Sequence, residues 1–283
     1  LKALPDVATL SRMLKEADQR SVDKLRQLLG DLVLDRLKSL ALPRITLDFD
    51  GSVQSTKRRA EGAAAGYNKK KKGARSYYPL FCTVAQTGQF FDVHHRPGNV
   101  HDSNGAVDFM MRCFEKAQSE LPNTRFDSRI DAAFFNKEIC DVFDTNKVQF
   151  TGSVPFERFA ELKQMIEGRQ RWRIIDGQWS YFEARWKPKS WDTKYRFIFT
   201  RRKVKSQYKG PLQLDLFEPR DFNYQYKVIV TNKTNSAKNV VLFHNGRSSQ
   251  EAIFGEAKNN CGLNVIATRC LAGNQVYTLC AMM

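Results

Sequence analysis

A mixed α/β fold is what this 283-residue sequence predicts: a sheet with flanking helices, interrupted by a β-rich insertion and preceded by a helical segment. Three observations carry that expectation. The stretches Ile45–Asp50 and Phe126–Asp131 alternate apolar and polar residues with the period of a half-buried strand. The second runs into Phe135, Ile139, Val142 and Phe143, spaced as the apolar stripe of a helix. From about residue 41, strand and helix patterns follow one another in the order β-β-β-α-β-α, and the character of the chain changes at 155.

Residues 1–40 carry no strand pattern and form the first unit. Thr9 or Ser11 is expected to cap a short helix containing Leu14 and Ala17. Val22, Leu25, Leu28, Leu29, Leu32 and Val33 give Ser21–Leu40 a second helical stripe. Residues 41–154 form the second unit, with strands at 45–50, 78–85, 89–95, 126–131 and 148–153 and helices at 103–119 and 134–143. Gln86-Thr87-Gly88 joins two of those strands as a hairpin turn. Lys69-Lys70-Lys71-Lys72 follows an Ala- and Gly-rich loop at 62–66. Residues 155–227 alternate aromatics, including Trp172, Trp179, Trp186 and Trp191, with charges, and read as a β-rich insertion. Residues 228–283 return to a core pattern.

Chemistry concentrates in the acids. On a helix, at about 100° per residue, Glu251 lies roughly 40° and Lys258 roughly 20° from Arg247. All three project from one stripe, an acid flanked by two cations, which suits a site that must hold a metal and a phosphate backbone together. Ser248-x-x-Glu251 also fits a capping box. Asp48 and Asp50 share one face of the strand 45–50, where they are either solvated or functional. Asp131 lies between a strand and a helix start, where an acid serves as an N-cap or as an active-site group, and Asp127 is its neighbour on the strand face.

Lys and Arg outnumber Asp and Glu by 46 to 30, a net charge of +16 that suits a polyanion such as nucleic acid. No apolar run approaches the roughly 20 residues needed to span a bilayer. The six cysteines are scattered, and read as thiols in a reducing cytoplasm rather than as a disulfide framework or zinc site. His94, His95 and His101 flank a turn-like Arg96-Pro97-Gly98-Asn99 and have no cysteine partners, so a histidine metal site is not expected.

Taken in order, these segments resemble the insertion-sequence transposases of the DDE type, in the branch with a β-rich insertion before the catalytic Glu. Arg247-x3-Glu251-x6-Lys258 resembles the family's glutamate motif, with His244 where Tyr is usual. Asp50-Gly51-Ser52 resembles the first Asp motif, and Arg129-Ile130-Asp131-Ala132-Ala133-Phe134-Phe135 the second. Tyr78-Pro79-Leu80, Arg96–His101, Ser153–Phe156, Gln213–Phe217 and Thr231-Asn232-Lys233 complete the likeness over nearly the whole chain.

The resemblance implies an RNase H-like fold whose acids gather at one end of the sheet. It implies Asp50, Asp131 and Glu251 as catalytic acids and ligands of Mg²⁺ or Mn²⁺, two ions in all, with Asp48 and Asp127 in reserve. Arg247, Lys258 and Lys69 to Lys72 would contact DNA phosphates, and an aromatic of the insertion could stack on a displaced base, although each Trp is more readily core than base clamp. Cleavage at transposon ends, strand transfer into target DNA, a homodimer on DNA and a cytoplasmic, nucleoid-associated bacterial protein follow as expectations. The chain starts at Leu1 and stops in an apparent helix, so the resemblance also implies a truncated DNA-binding segment and C-terminus. A structure-selective nuclease that never joins strands, and an inactive DNA-binding relic, are the rival readings.

Overall fold

The computed structural model describes residues 5–56, 59–66, 71–101, 103–204 and 224–283. Aspartates, rather than the expected Thr9 or Ser11, open the first helices. Asp6 accepts the Thr9 N–H at 2.6 Å to start α1 (Val7–Glu16), and Asp18 accepts that of Ser21 at 2.8 Å to start α2 (Gln19–Leu40). Each carboxylate satisfies an amide that has no partner within its helix. In α2 the residues Val22, Leu29, Val33, Leu34 and Leu37 are buried, whereas Leu28 and Leu32 of the expected stripe are exposed.

The strands of the next unit are β1 (Arg44–Gly51), β2 (Gln54–Thr56), β3 (Ala64–Ala65), β4 (Arg75–Tyr77), β5 (Leu80–Val84) and β6 (Gln89–His94). They are followed by α3 (Ala106–Glu120), β7 (Arg125–Ile130), α4 (Lys137–Thr145) and β8 (Gln149–Val154). β2, β4 and β3 form a small separate sheet. In the large sheet β5 runs antiparallel to β1 and β6, while β7 lies parallel to both β1 and β8. The resulting order β6-β5-β1-β7-β8 is a meander followed by two parallel strands, the RNase H-like arrangement.

The aromatic segment does not stand apart from this sheet. After α5 (Ala160–Glu167) come β9 (Arg173–Ile174), β10 (Trp179–Trp186), β11 (Tyr195–Lys203) and β12 (Tyr224–Thr231). β12 pairs antiparallel with β8, and β11, β10 and β9 continue outward, giving one nine-stranded sheet. Trp172, Trp186 and Trp191 pack with the main core, while Trp179 is half-buried with the Arg202 guanidinium 5.7 Å from its ring. The Gln213–Phe217 segment, and Lys69 and Lys70, lie outside the described residues.

One face of the sheet is apolar. Phe49 meets Phe109 and Phe114 of α3 edge-on, with centroids 5.9 and 5.7 Å away. The opposite face is covered by α6 (Ala237–Asn245) and α7 (Ser248–Asn260): Ala237, Val240 and Val241 pack on Ile198 and Ile229, and Phe254 lies against Phe81 and Phe90. α8 (Leu271–Met282) packs against α1 and α2. The half-buried strand expected at 45–50 is therefore covered on both sides, because β1 lies inside the sheet and α6–α7 roof its polar face.

Candidate active site

Parallel pairing of β1 with β7 decides which acids meet. Asp48 is the register partner of Arg129, and their side chains form a two-pronged buried pair, Nε to Oδ1 at 2.8 Å and Nη2 to Oδ2 at 2.5 Å. Burial raises the Asp48 pKa above its ordinary value, and Arg129 opposes that rise. Arg129 also donates to Phe243 O at 3.2 Å, tying α6 to the sheet. The approach is tight: a Cβ at Gly246 would fall 2.4 Å from Arg129 Nη1. Asp127 is equally buried and bound to Arg44 at 2.7 Å and to Lys233 at 3.0 Å. Both reserve acids thus neutralise internal cations.

Asp50 and Asp131 differ from them. They lie at the same end of the two parallel strands, and their side chains keep 28% and 39% exposure. Asp131 Oδ1 accepts the Ala133 N–H at 2.6 Å and caps a 3₁₀ turn over Ala132–Phe134, which replaces the expected start of the helix; α4 begins later, capped by Asn136. Its other oxygen, Oδ2, lies 3.8 Å from Arg247 Nη2, and Asp50 Oδ2 lies 3.0 Å from the same nitrogen. Capping and site membership therefore occupy different oxygens of one carboxylate.

Arg247 joins α6 to α7 in helical conformation, as the residue just before Ser248. Among the described residues its Nε and Nη2 are buried without a well-directed hydrogen bond, so Nη2 holds the aspartates by charge rather than by aligned N–H bonds. The capping box is not formed: the Ser248 hydroxyl donates to Asn245 O at 3.0 Å, and α7 has no side-chain cap. Glu251 is exposed and lines a cavity with Arg247, Lys227, Ser153, His244 and Ser248. Lys258 is in the last turn of α7, about 16 Å along the axis from Arg247, with its ammonium 5.4 Å from the Phe254 ring. Lys71 and Lys72 are exposed.

His244 anchors this roof. Buried between Thr151 and Ser153 of β8, it meets their hydroxyls at 3.0 and 2.9 Å, and burial pushes its pKa well below the usual histidine value. His94 and His95 are lowered to about 4, chiefly by burial. Arg96, from the turn-like motif, donates to Asn104 O at 2.7 Å and to Tyr78 O at 3.0 Å and so fixes the meander edge. Asn232 binds the Phe150 N–H at 2.8 Å and seats β12 on β8. The Arg129–Asp48 pair, the His244 contacts and Lys227 were not singled out from sequence; only the Arg and Asp on facing strand patterns offered a signal.

Could these residues hold a metal? Among the described residues no three His, Cys, Asp or Glu side chains are grouped to hold an ion. The pair Asp50 and Asp131 nevertheless fits a divalent cation, because two oxygen donors already converge on one positive centre, the guanidinium, within 3.8 Å. Glu251, the third acid of the motif, lines the same cavity as Arg247.

The sequence model of the family described as Transposase DDE domain group 1 matches residues 2–282. No curated protein matches the sequence. Among solved structures, the chain is similar to a piggyBac transposase synaptic complex with hairpin DNA, at 11% identity and TM-score 0.49, covering 84% of this chain and 45% of that one. A Mos1 transposase paired-end complex with left transposon end gives 12% identity and TM-score 0.27, covering 48% of this chain and 43% of that one. A Mos1 mariner paired-end complex with Mn gives 15% and 0.26, with the same coverages. The chain thus spans less than half the length of these structures. Among the described residues no helix is long and apolar enough to cross a membrane.

Proposed function

This chain belongs to the DDE transposase domain family, and from that premise we propose that it cuts DNA at the ends of a mobile element and joins the freed strand to target DNA. Asp50, Asp131 and Glu251 are the acids of the reaction. The observation that carries this reading is the meeting of Asp50 and Asp131 around Arg247, with Glu251 in the cavity that Arg247 lines.

The three acids would hold divalent cations, Mg²⁺ or Mn²⁺, which supply activation of the attacking hydroxyl and charge stabilisation at the leaving oxygen. The chain's own groups do the rest. Asp131 is held in place by the Ala133 N–H, which leaves its other oxygen beside Arg247. Asp48 neutralises Arg129 internally, which leaves the roof of α6–α7 seated over the strand ends. Arg247, once displaced from the aspartates, has a planar fork suited to a phosphate, and the basic surface of the chain attracts duplex DNA. Lys71, Lys72 and Lys258 belong to that surface rather than to the acid cluster. The protein acts as a dimer that pairs two DNA ends, inside a bacterial cell at the nucleoid.

A strand-transfer assay with DNA from the element's ends tests this. Products in which the cut 3′ end is joined to a second duplex support transposition. Cut ends that are never joined indicate the nuclease instead.

A further inference from the structure

Lys227 is the cation that neither the motif nor the family likeness assigns. It lies on β12 opposite Thr200, whose hydroxyl donates to the Lys227 carbonyl at 3.1 Å. Beyond it Val228, Ile229, Val230 and Thr231 are buried beneath α6 and the core, so Lys227 stands where the strand leaves that shelter. Its side chain turns to the same sheet face as Ser153 and enters an open cavity of about 320 Å³, with Arg247 and Glu251 also on the wall.

Among the described residues the Lys227 ammonium makes no ion pair or hydrogen bond, and it is half-buried. Burial lowers its pKa, Arg247 lowers it further, and Asp131 raises it. Among the described residues Arg247 Nε is buried without a hydrogen-bond partner. An anion entering the cavity would give the half-buried Lys227 ammonium a partner. Glu251 is the carboxylate on the wall among the described residues, and Arg247 is already paired with Asp50 and Asp131. The hydroxyls of Ser153 and Ser248 add neutral donors, and His244 is held uncharged. A space of this volume suits a small ligand of nucleotide size.

We propose that Lys227 is a phosphate-contact residue, binding with Arg247 one phosphate of the DNA strand that enters the cavity beside Glu251. This rests on the DNA-cutting function proposed above. As a compact point charge the ammonium takes a phosphate oxygen in any orientation, while the planar Arg247 guanidinium holds the other non-bridging oxygen.

The test compares the unaltered chain with Lys227→Met, which keeps the stem and removes the charge, and Lys227→Arg, which restores it. Affinity for a fluorescent duplex is measured by anisotropy over a range of salt, alongside thermal stability and Mn²⁺-dependent cutting. Lys227→Met is expected to weaken binding about tenfold at low salt and to reduce the salt slope by about one phosphate, with an unchanged or higher melting temperature; Lys227→Arg recovers most of the binding. Unchanged affinity and slope in Lys227→Met overturn the inference, as does a lower melting temperature with an unchanged slope, which marks a structural lysine. Lys227-dependent binding without any Mn²⁺-dependent cutting by the unaltered chain overturns the DNA-cutting function while upholding the phosphate contact. No salt-dependent binding by the unaltered chain overturns both.

Discussion

The Arg247 guanidinium stands between Asp50 and Asp131, with one nitrogen 3.0 Å from the first carboxylate and 3.8 Å from the second. A divalent cation bound by those acids must therefore displace an internal cation. Arg247→Gln removes the competitor and should tighten Mn²⁺ binding in the absence of DNA by about tenfold, a change of about 1.4 kcal/mol. Paramagnetic titration of free Mn²⁺ reads this directly. Equal or weaker binding in the variant would show that Arg247 does not occupy the cation's place.

Two aspartates on one strand should behave in opposite ways. Asp48 neutralises buried Arg129, so Asp48→Ala leaves an unpaired guanidinium inside the protein and should destabilise the fold by about 3–5 kcal/mol. Asp50 is partly exposed, and Arg247 keeps Asp131 as a partner when Asp50 is replaced, so Asp50→Ala should change stability by less than about 1 kcal/mol. Denaturant unfolding of the two variants decides it. Comparable losses in both would contradict the division of labour.

That division was only half legible in the sequence. The period-two pattern identified the strand and its two acids, and Asp131 was found because the pattern changes period just after it. The partner that distinguishes Asp48 from Asp50 is 81 residues away, and parallel register across β1 and β7 is not written in either strand alone. For the same reason the aromatic segment read as a separate insertion. Its strands look local, but the pairing of Val228 with Val154 and of Thr231 with Thr151 joins them to the main sheet. Lys227 carried no signal, because a single lysine in a strand resembles any solvated one. The predicted one-stripe relation of Arg247 and Glu251 survives as a shared cavity, whereas Lys258, on the same angular stripe, is displaced along the helix axis.

Buried histidines make the fold sensitive to mild acid. His94 and His95 have pKa values lowered from 6.5 to about 4, and burial also pushes His244 well below its ordinary value. A lowered value means that the folded protein binds fewer protons than the unfolded chain between about 4 and 6.5. Their stabilising contribution is present above pH 6.5 and is lost as pH falls toward 4. Asp48, with its pKa raised from 3.8, acts in the opposite direction as pH rises above that value. The melting temperature should drop between pH 7 and pH 5. His95→Phe should reduce the drop without loss at pH 7, since both ring nitrogens of His95 lack hydrogen-bond partners among the described residues. A pH profile identical to that of the unaltered chain would contradict the buried neutral state of His95.

The most direct test of the account is Mn²⁺-dependent cleavage of DNA from the element's ends by Asp50→Ala, Asp131→Ala and Glu251→Ala, with DNA affinity measured in parallel. Each replacement should reduce cleavage by about a thousandfold or more while affinity stays within about threefold, because these acids serve the reaction and not the grip on DNA. Cleavage that survives in any one of the three, or that is lost only together with DNA binding, would contradict the assignment of these residues as the catalytic acids.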